Sequence, residues 1–496
     1  MAFPDPTWAR LGFMEPPDFH NSGHNIGVVI IDKMKPHHTI RHLGDRIKYV
    51  TVENDLTINC NNIAFQSSGE VDEDVGEHGL MTILTLAHKP FFLEGKTHVG
   101  LSPAANFIVL DHGAFREGEG ERLKYGMDWV LKQPNWNIKI ILCTGWHASD
   151  NPVLLQKTHK NSTVQALNSA VQRGLMVICS NGNTRLGNIM PPIEYFTVGG
   201  FNDRGKAERH LHLPYPDEPF GKNGDGHFRP DILAPRVYLT LPFCESKERE
   251  EQVSYYWGTS GAATLVTGIA AYLFSKYPEL DSKNLRSKLI ENADPIEDYK
   301  NNAPRINVGN VIHSLEMQVN LKKANPCVSS VRIASHDHHS IESLDDIERG
   351  LALSKLVQQQ IVTRQELWKY AEDESDVVRK IAVYALAKPE DEYERRLYWK
   401  RLSEESEGGV RGWYAHGLLQ NTNESEVSKW IPCSTDSNWA VRWSVSEYLA
   451  RYDDSFPQLE KTHDPDLIQE KASKVLQWLK KIQGFNVKKN RLENGL

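Results

Sequence analysis

Residues 28–34 read VVIIDKM, in which the unbroken apolar run at 28–31 is followed by Asp32. A short run without polar alternation predicts a strand that is buried on both faces of a sheet, here Ile26–Ile31. Similar runs predict four further strands, at Phe107–Leu110, Ile138–Cys143, Met176–Cys179 and Phe196–Val198. Helical patterns lie between them, for example at Gly126–Leu131 and Ser162–Arg173. This alternation predicts an α/β fold, a parallel sheet with helices on both faces.

Polar residues stand where such a sheet binds ligands, beyond the carboxyl ends of its strands. Asp32 directly follows the first strand, and Asn183 ends the stretch VICSNGN at residues 177–183. Two further residues open helical patterns: His78 in EHGLMTILTLAH, residues 77–88, and Ser260 in GTSGAATLVTGIAAYLF, residues 258–274. Taken singly, each has an ordinary structural explanation as a strand end, a turn or a helix cap.

Together and in this order, the four segments resemble the subtilase family of serine proteases, over about Trp8–Leu315. Further matching segments are GLSPAANFIVLDHG (100–113), SAVQRGLMVICSNGN (169–183), RPDILAP (229–235) and LRSKLIENAD (285–294). The resemblance implies a subtilisin-like fold and a triad of Asp32, His78 and Ser260, with Asn183 donating to the oxyanion. It also implies that Thr144, Gly145 and Trp146 bind substrate, because they stand where the family reads S-L-G.

The sequence departs from the family pattern beside the implied catalytic residues. Leu80-Met81 replace Thr-His after the histidine, and Gly261 replaces the methionine after the serine. Thr264-Leu265 replace Pro-His, and Trp146 replaces a glycine of the primary specificity pocket. None of these changes removes a reacting group. They argue against broad specificity and predict a narrow or reshaped pocket.

The last part of the chain is periodic. Val-Arg pairs recur at residues 378, 410 and 441, and in each copy an acid stands five residues before the valine and a leucine eight residues after it. The acids are Asp373, Glu405 and Asp436, and the leucines are Leu386, Leu418 and Leu449. Helical units of fixed period predict an all-α stack similar to HEAT repeats. We expect its arginines to pair with acids of neighbouring repeats, and Asp464–Ile482 to form a capping helix.

These patterns divide the chain into a protease domain at 1–316, a linker at 317–344 and a HEAT-like repeat domain at 345–496. The linker contains the cluster His336–His339, for which a solvated linker is favoured over a metal site. The charged segment Glu245–Glu251 is interpreted as a solvated insertion, with a specificity or regulatory loop as the alternative.

Composition and charge limit the classes of ligand and the cellular location that we expect for the protein. The 57 Lys and Arg against 65 Asp and Glu give a formal net charge of −8, which disfavours nucleic acid as a ligand. No run of about 20 apolar residues predicts a membrane span, and no signal peptide is recognisable. None of the six cysteines forms a CxxC or CxxH spacing typical of zinc sites, and together these features predict a cytoplasmic protein. The chemistry requires no cofactor. Many subtilases bind structural calcium, but no ligands for it can be assigned here.

The function predicted from these features is that of a selective, regulated cytoplasmic serine endopeptidase, whose repeat domain binds a protein partner or the substrate. Asp32 lies too near the start for a family propeptide to precede it, so restraint is expected from the repeats, a partner or narrow specificity. The architecture is similar to that of bacterial defence or toxin-activation modules. The alternatives are a pseudoprotease that acts as a binding scaffold, and a general intracellular scavenging protease.

Overall fold

The computed structural model describes residues 3–34, 36–62, 77–113, 118–144, 153–188, 191–215, 218–242, 253–296, 303–322, 345–420, 426–451, 459 and 467–478. Its first part carries the strands β1 Gly27–Ile31, β2 Ile47–Val52, β3 Ile58–Asn61, β4 Phe91–Leu93, β5 Lys96–His98, β6 Asn106–Asp111, β7 Ile138–Cys143, β8 Met176–Ser180, β9 Phe196–Phe201, β10 Gly221–Lys222, β11 Phe228–Arg229, β12 Ile232–Pro235, β13 Leu239–Leu241 and β14 Ser254–Tyr256. The helices of this part are α1 Thr7–Arg10, α2 Glu77–Ala87, α3 Glu119–Val130, α4 Ser162–Gln172, α5 Thr259–Lys276, α6 Ser282–Glu291 and α7 Val308–Lys322.

Eight strands form one sheet in the order β12-β9-β8-β7-β1-β6-β2-β3. All neighbours pair in parallel except β2 and β3, which makes β3 an antiparallel edge. All five strands predicted from apolar runs are present, so the predicted parallel sheet is confirmed. Strand β1 lies in the middle and therefore carries Asp32 to the centre of the carboxyl edge.

Helices cover both faces of the sheet, as predicted. Alternate residues of β1 divide between two cores: Val28 and Ile30 pack with α2 and α5, whereas Val29 and Ile31 pack with α3 and α4. Helix α5 is buried along nearly its whole length, since small side chains such as Ala262 and Ala263 allow it to lie against the sheet. This rigid core fixes the start of α5, where Ser260 lies.

The second part is helical. Its elements are α8 Asp346–Gln358, α9 Arg364–Tyr370, α10 Asp376–Leu386, α11 Glu392–Glu404, α12 Gly408–Gln420, α13 Val427–Trp430 and α14 Trp439–Ala450. Residues 467–478, within the predicted capping helix, are also helical. The all-α character is confirmed, while the assignment of these helices as HEAT-like repeats stays a prediction.

Arginines and acids pair between successive helical units as expected. Arg379 binds Glu405 through two 2.9 Å hydrogen bonds, and Arg411 binds Asp436 in the same way. The structure adds an earlier member that the Val-Arg pattern missed, in which Arg349 Nη2 lies 2.9 Å from Asp373 Oδ1. Position 349 carries the arginine without the preceding valine, so the sequence pattern did not include it. Each arginine of this ladder therefore ties one unit to the next.

The two parts pack against each other. Leu154 and Leu155, which follow the sheet strand β7, are buried in the hydrophobic core of the helical part. The backbone amide of Leu155 donates to Ser354 Oγ across 2.8 Å, and Lys222 pairs with Asp346 at 3.1 Å. Helix α7 continues into the segment predicted as a linker, whose residues 323–344, with the His336–His339 cluster, lie outside the described part. Within the described residues, no helix has the length and apolar character needed to cross a bilayer.

Candidate active site

Asp32 and His78 meet at the carboxyl edge of the sheet. Asp32 follows β1, and His78 is the second residue of α2. His78 Nδ1 lies 2.6 Å from Asp32 Oδ2, so this nitrogen carries the hydrogen and Nε2 bears the lone pair. Burial lowers the pKa of His78, but the hydrogen bond and negative charge of Asp32 outweigh it and hold the pKa above its usual value. The pair therefore forms an oriented, basic imidazole.

Ser260 lies in the first turn of the buried helix α5. The first backbone N–H groups of a helix have no partner within it, so this turn favours negative charge. Ser260 Oγ donates to the carbonyl oxygen of Thr144 across 3.0 Å, and Thr144 Oγ1 lies 3.3 Å from Asp32 Oδ2. Thr144, predicted to bind substrate, is thus buried between the predicted nucleophile and the aspartate.

Tyr256 was not predicted from the sequence, and its hydroxyl group is the hydrogen-bond partner of His78 Nε2. Its hydroxyl lies 3.2 Å from His78 Nε2 and 3.0 Å from Thr82 Oγ1, and its ring meets the imidazole edge to face. No hydrogen bond joins His78 to Ser260 among the residues that the structure describes. Gly261 beside Ser260 did not signal this contact, because the neighbour that its missing side chain accommodates is Leu239.

Asn183 is held by its amide oxygen. Oδ1 accepts hydrogen bonds from the backbone N–H of Thr259 at 2.8 Å, from Thr259 Oγ1 at 3.1 Å and from Arg236 Nη2 at 2.9 Å. In the described part of the chain, nothing accepts a hydrogen bond from Asn183 Nδ2. Gly258 has a left-handed φ of 91°, and a Cβ there would lie 2.9 Å from Asn183 Oδ1, so glycine permits this close approach. The Nδ2 group of Asn183 is thereby left able to donate hydrogen bonds to a ligand.

Arg236, also missed from the sequence, lies behind Asn183 as part of a buried ion pair. Its Nη1 lies 2.6 Å from Glu218 Oε2, and its guanidinium stacks on the ring of Tyr215 with 3.7 Å to the centroid. Burial outweighs the attraction of Arg236 and raises the pKa of Glu218 to about 7. The hydrogen bond from Arg236 helps to fix the direction of the Asn183 amide.

The helical part binds the loop that follows Asn183. Three polar contacts join them: Lys380 Nζ to Gly187 O at 3.1 Å, Trp413 Nε1 to Leu186 O at 2.9 Å, and Arg185 Nε to Glu407 Oε1 at 2.8 Å. Gly409 packs directly on this loop, since a Cβ there would lie 1.9 Å from the carbonyl oxygen of Arg185. The position of the Asn183 loop therefore depends on the helical stack.

Some predicted features lie outside the described residues: Gly145, Trp146 and the Glu245–Glu251 segment. Four cysteines, Cys60, Cys143, Cys179 and Cys433, are free thiols. Among the described residues, no three His, Cys, Asp or Glu side chains come together in a way that could hold a metal ion. The calcium question raised by the sequence therefore stays open.

Comparison with known proteins gives a match to the model described as "Subtilase family" over residues 24–313. M-protease of Shouchella clausii is 26% identical over 199 residues, covering 39% of this chain and 44% of the relative. Subtilisin Savinase of Lederbergia lenta is 26% identical over the same length, covering 39% of this chain and 63% of the relative. The match thus covers 44% to 63% of the length of these relatives.

Comparison with solved structures finds similarity at low sequence identity. The protease domain of PatA gives a TM-score of 0.45 at 18% identity, covering 61% of this chain and 98% of that one. The PatG macrocyclase in complex with peptide gives 0.44 at 17% identity, covering 60% and 93%.

Proposed function

The chain belongs to the subtilase family of serine endopeptidases, and on that premise we propose that it hydrolyses peptide bonds with Asp32, His78 and Ser260 as its triad. One observation carries the proposal: the 2.6 Å hydrogen bond from His78 Nδ1 to Asp32 Oδ2, at the sheet edge where Ser260 also opens α5. Asn183 is proposed as the oxyanion donor, which is supported by its fixed Oδ1 and by an Nδ2 that donates to none of the described residues.

In this mechanism Ser260 attacks the carbonyl carbon of the scissile peptide bond. His78 Nε2 takes the Ser260 proton, and the imidazolium is stabilised by Asp32. The oxyanion accepts hydrogen bonds from Asn183 Nδ2 and from the backbone N–H of Ser260. The imidazolium then gives the proton to the leaving amine, and an acyl-enzyme forms. Water, deprotonated by His78, releases the acid product and restores Ser260.

We further propose that the activity is selective and depends on the helical stack. Support comes from the contacts of Lys380 and Trp413 with the loop that follows Asn183. A protein that binds the stack and shifts α10 or α12 would move the proposed oxyanion donor. Protein or peptide substrates and a regulatory protein partner are therefore the expected ligands. We propose a cytoplasmic location, which the free thiols of the described cysteines fit.

The test combines covalent labelling with turnover. A fluorophosphonate probe should label the wild-type chain at Ser260, and the Ser260→Ala variant should stay unlabelled. A library of self-quenched peptides should be cleaved at a restricted set of sequences, while casein stays largely intact. Equal labelling of both chains would overturn the proposed nucleophile. Labelling without any peptide cleavage would favour the pseudoprotease, and ready degradation of casein the scavenging protease.

A further inference from the structure

The Tyr256 hydroxyl occupies the place that the proposed mechanism reserves for Ser260. It lies 3.2 Å from His78 Nε2, the atom that must take the Ser260 proton. The ring is buried and packs at ordinary van der Waals distance beside Gly261, where a Cβ would lie 3.5 Å from Tyr256 Cδ1; the close approach that requires glycine there is that of Leu239 Cδ1, at 2.7 Å. Packing thus fixes the phenol beside the imidazole.

The hydrogen positions follow from the partners. Asp32 accepts the hydrogen of His78 Nδ1, so neutral His78 offers only a lone pair at Nε2. Burial and the nearby Asp32 carboxylate raise the pKa of Tyr256, which keeps the phenol protonated. The Tyr256 O–H is therefore the donor to Nε2, and Thr82 Oγ1, 3.0 Å from the phenol oxygen, can donate to it in turn.

The proposed nucleophile is engaged elsewhere at the same time, because the Ser260 O–H donates to the carbonyl oxygen of Thr144 at 3.0 Å. Resting on the proposed function, we propose that Tyr256 is a gating residue of the active site: its hydroxyl competes with Ser260 for His78 Nε2 and slows acylation. Ser260 is activated only when the Tyr256 O–H turns away from the imidazole.

The structure provides a route for this exchange. The Tyr256 O–H can turn to Thr82 Oγ1, and the Thr82 O–H then points to the His78 carbonyl oxygen, 3.1 Å away. The Tyr256 and Thr82 steps are rotations of O–H groups, and no proton leaves its oxygen. Ser260 Oγ, which here bonds the Thr144 carbonyl oxygen, must in addition turn about the Cα–Cβ bond to reach Nε2. The Ser260 O–H can then exchange the Thr144 carbonyl oxygen for Nε2. Two hydrogen-bond patterns with similar numbers of bonds therefore exist: a closed one, in which Tyr256 bonds His78 Nε2, and an open one, in which Ser260 does.

The experiment measures the second-order rate of Ser260 labelling by a fluorophosphonate, at a pH where His78 is neutral. Tyr256→Phe keeps the ring and removes the hydroxyl. The expected rate is about two- to tenfold above wild type, the factor that corresponds to the net strength of one hydrogen bond. Tyr195→Phe is the matched control, because this buried tyrosine packs on the opposite face of the sheet, and its rate should equal that of wild type.

Thr82→Val provides a second variant that keeps Tyr256. It removes one alternative partner of the phenol and leaves the neighbouring Ser260 and Thr264 hydroxyls, so the closed pattern is favoured and labelling should be equal to or slower than in wild type. An unchanged rate in Tyr256→Phe would overturn the gate. A slower rate in that variant, with an unchanged melting temperature, would overturn it too and make Tyr256 a proton relay. If neither wild type nor Tyr256→Phe is labelled, the proposed function itself fails, and the gate fails with it.

Discussion

Arg236 Nη2 donates to Asn183 Oδ1 across 2.9 Å, so a buried guanidinium stands directly behind the proposed oxyanion donor. Glu218 pairs with this guanidinium from the other side, so the three side chains form a hydrogen-bonded chain that runs from the exposed Asn183 to a buried carboxyl group. Removing a buried member of this hydrogen-bonded chain costs more than the contact itself, since the buried group that remains loses its partner. This gives the first prediction.

Arg236→Met should lower the free energy of unfolding by about 3–5 kcal/mol, because it leaves the buried Glu218 carboxyl without its charged partner. The double variant Arg236→Met/Glu218→Gln should recover most of that stability, as measured by urea unfolding. Its kcat should nevertheless stay below wild type with KM little changed, because Asn183 has lost a partner that positions it. Wild-type kcat in the double variant would show that Arg236 acts on stability alone.

Two adjacent glycines test the contact between the helical stack and the Asn183 loop. In Gly409→Ala the new Cβ would meet the Arg185 carbonyl oxygen, a backbone atom that cannot yield cheaply. We expect lower kcat in peptide hydrolysis and a lower melting temperature. Gly408→Ala is the control, since its Cβ approaches only the Asn438 side chain, at 3.1 Å. Equal activity in the two variants would show that the contact between the helical stack and the Asn183 loop does not affect catalysis.

The pH dependence tests the Asp32–His78 pair. His78 must be neutral to act as base, and Asp32 raises its pKa above 6.5, so labelling should rise with pH through a midpoint above that value. Asp32→Asn should move the midpoint to lower pH and reduce the plateau rate by roughly 10⁴. The side chains that contact the His78 ring nitrogens are Asp32 and Tyr256. An unchanged midpoint in Asp32→Asn would show that the shift has another source.

The arginine ladder predicts that replacing a buried, paired arginine lowers stability more than replacing an exposed arginine. Arg411 makes two 2.9 Å hydrogen bonds to Asp436, and both side chains are mostly buried. Arg411→Met should destabilise the chain by about 1–3 kcal/mol, the usual cost of leaving a buried partner unsatisfied. Arg396→Met, at an exposed arginine of the same helical part, should change stability by less than about 0.5 kcal/mol. Equal melting temperatures for the two variants would contradict a stabilising ladder.

The sequence by itself determined the elements that depend on local pattern. Continuous apolar runs such as Val28–Ile31 can only be satisfied in a strand that is covered on both faces, so the parallel sheet could be predicted. The period of the Val-Arg pairs likewise predicted the helical stack and the pairing of Arg379 with Glu405. The four ordered segments pointed to the family, because each couples a reacting residue to the element that carries it.

Only the tertiary structure decided what surrounds those residues. Tyr256 and His78 are 178 positions apart, and Arg236 and Asn183 are 53 apart. Their contacts depend on how strands and helices pack, and neither apolar periodicity nor residue spacing encodes such a pairing. The same holds for Gly409 and Arg185, which meet only because two separately patterned parts dock. Local sequence therefore specified the residues proposed to react, and long-range packing specified the hydrogen bonds that surround them.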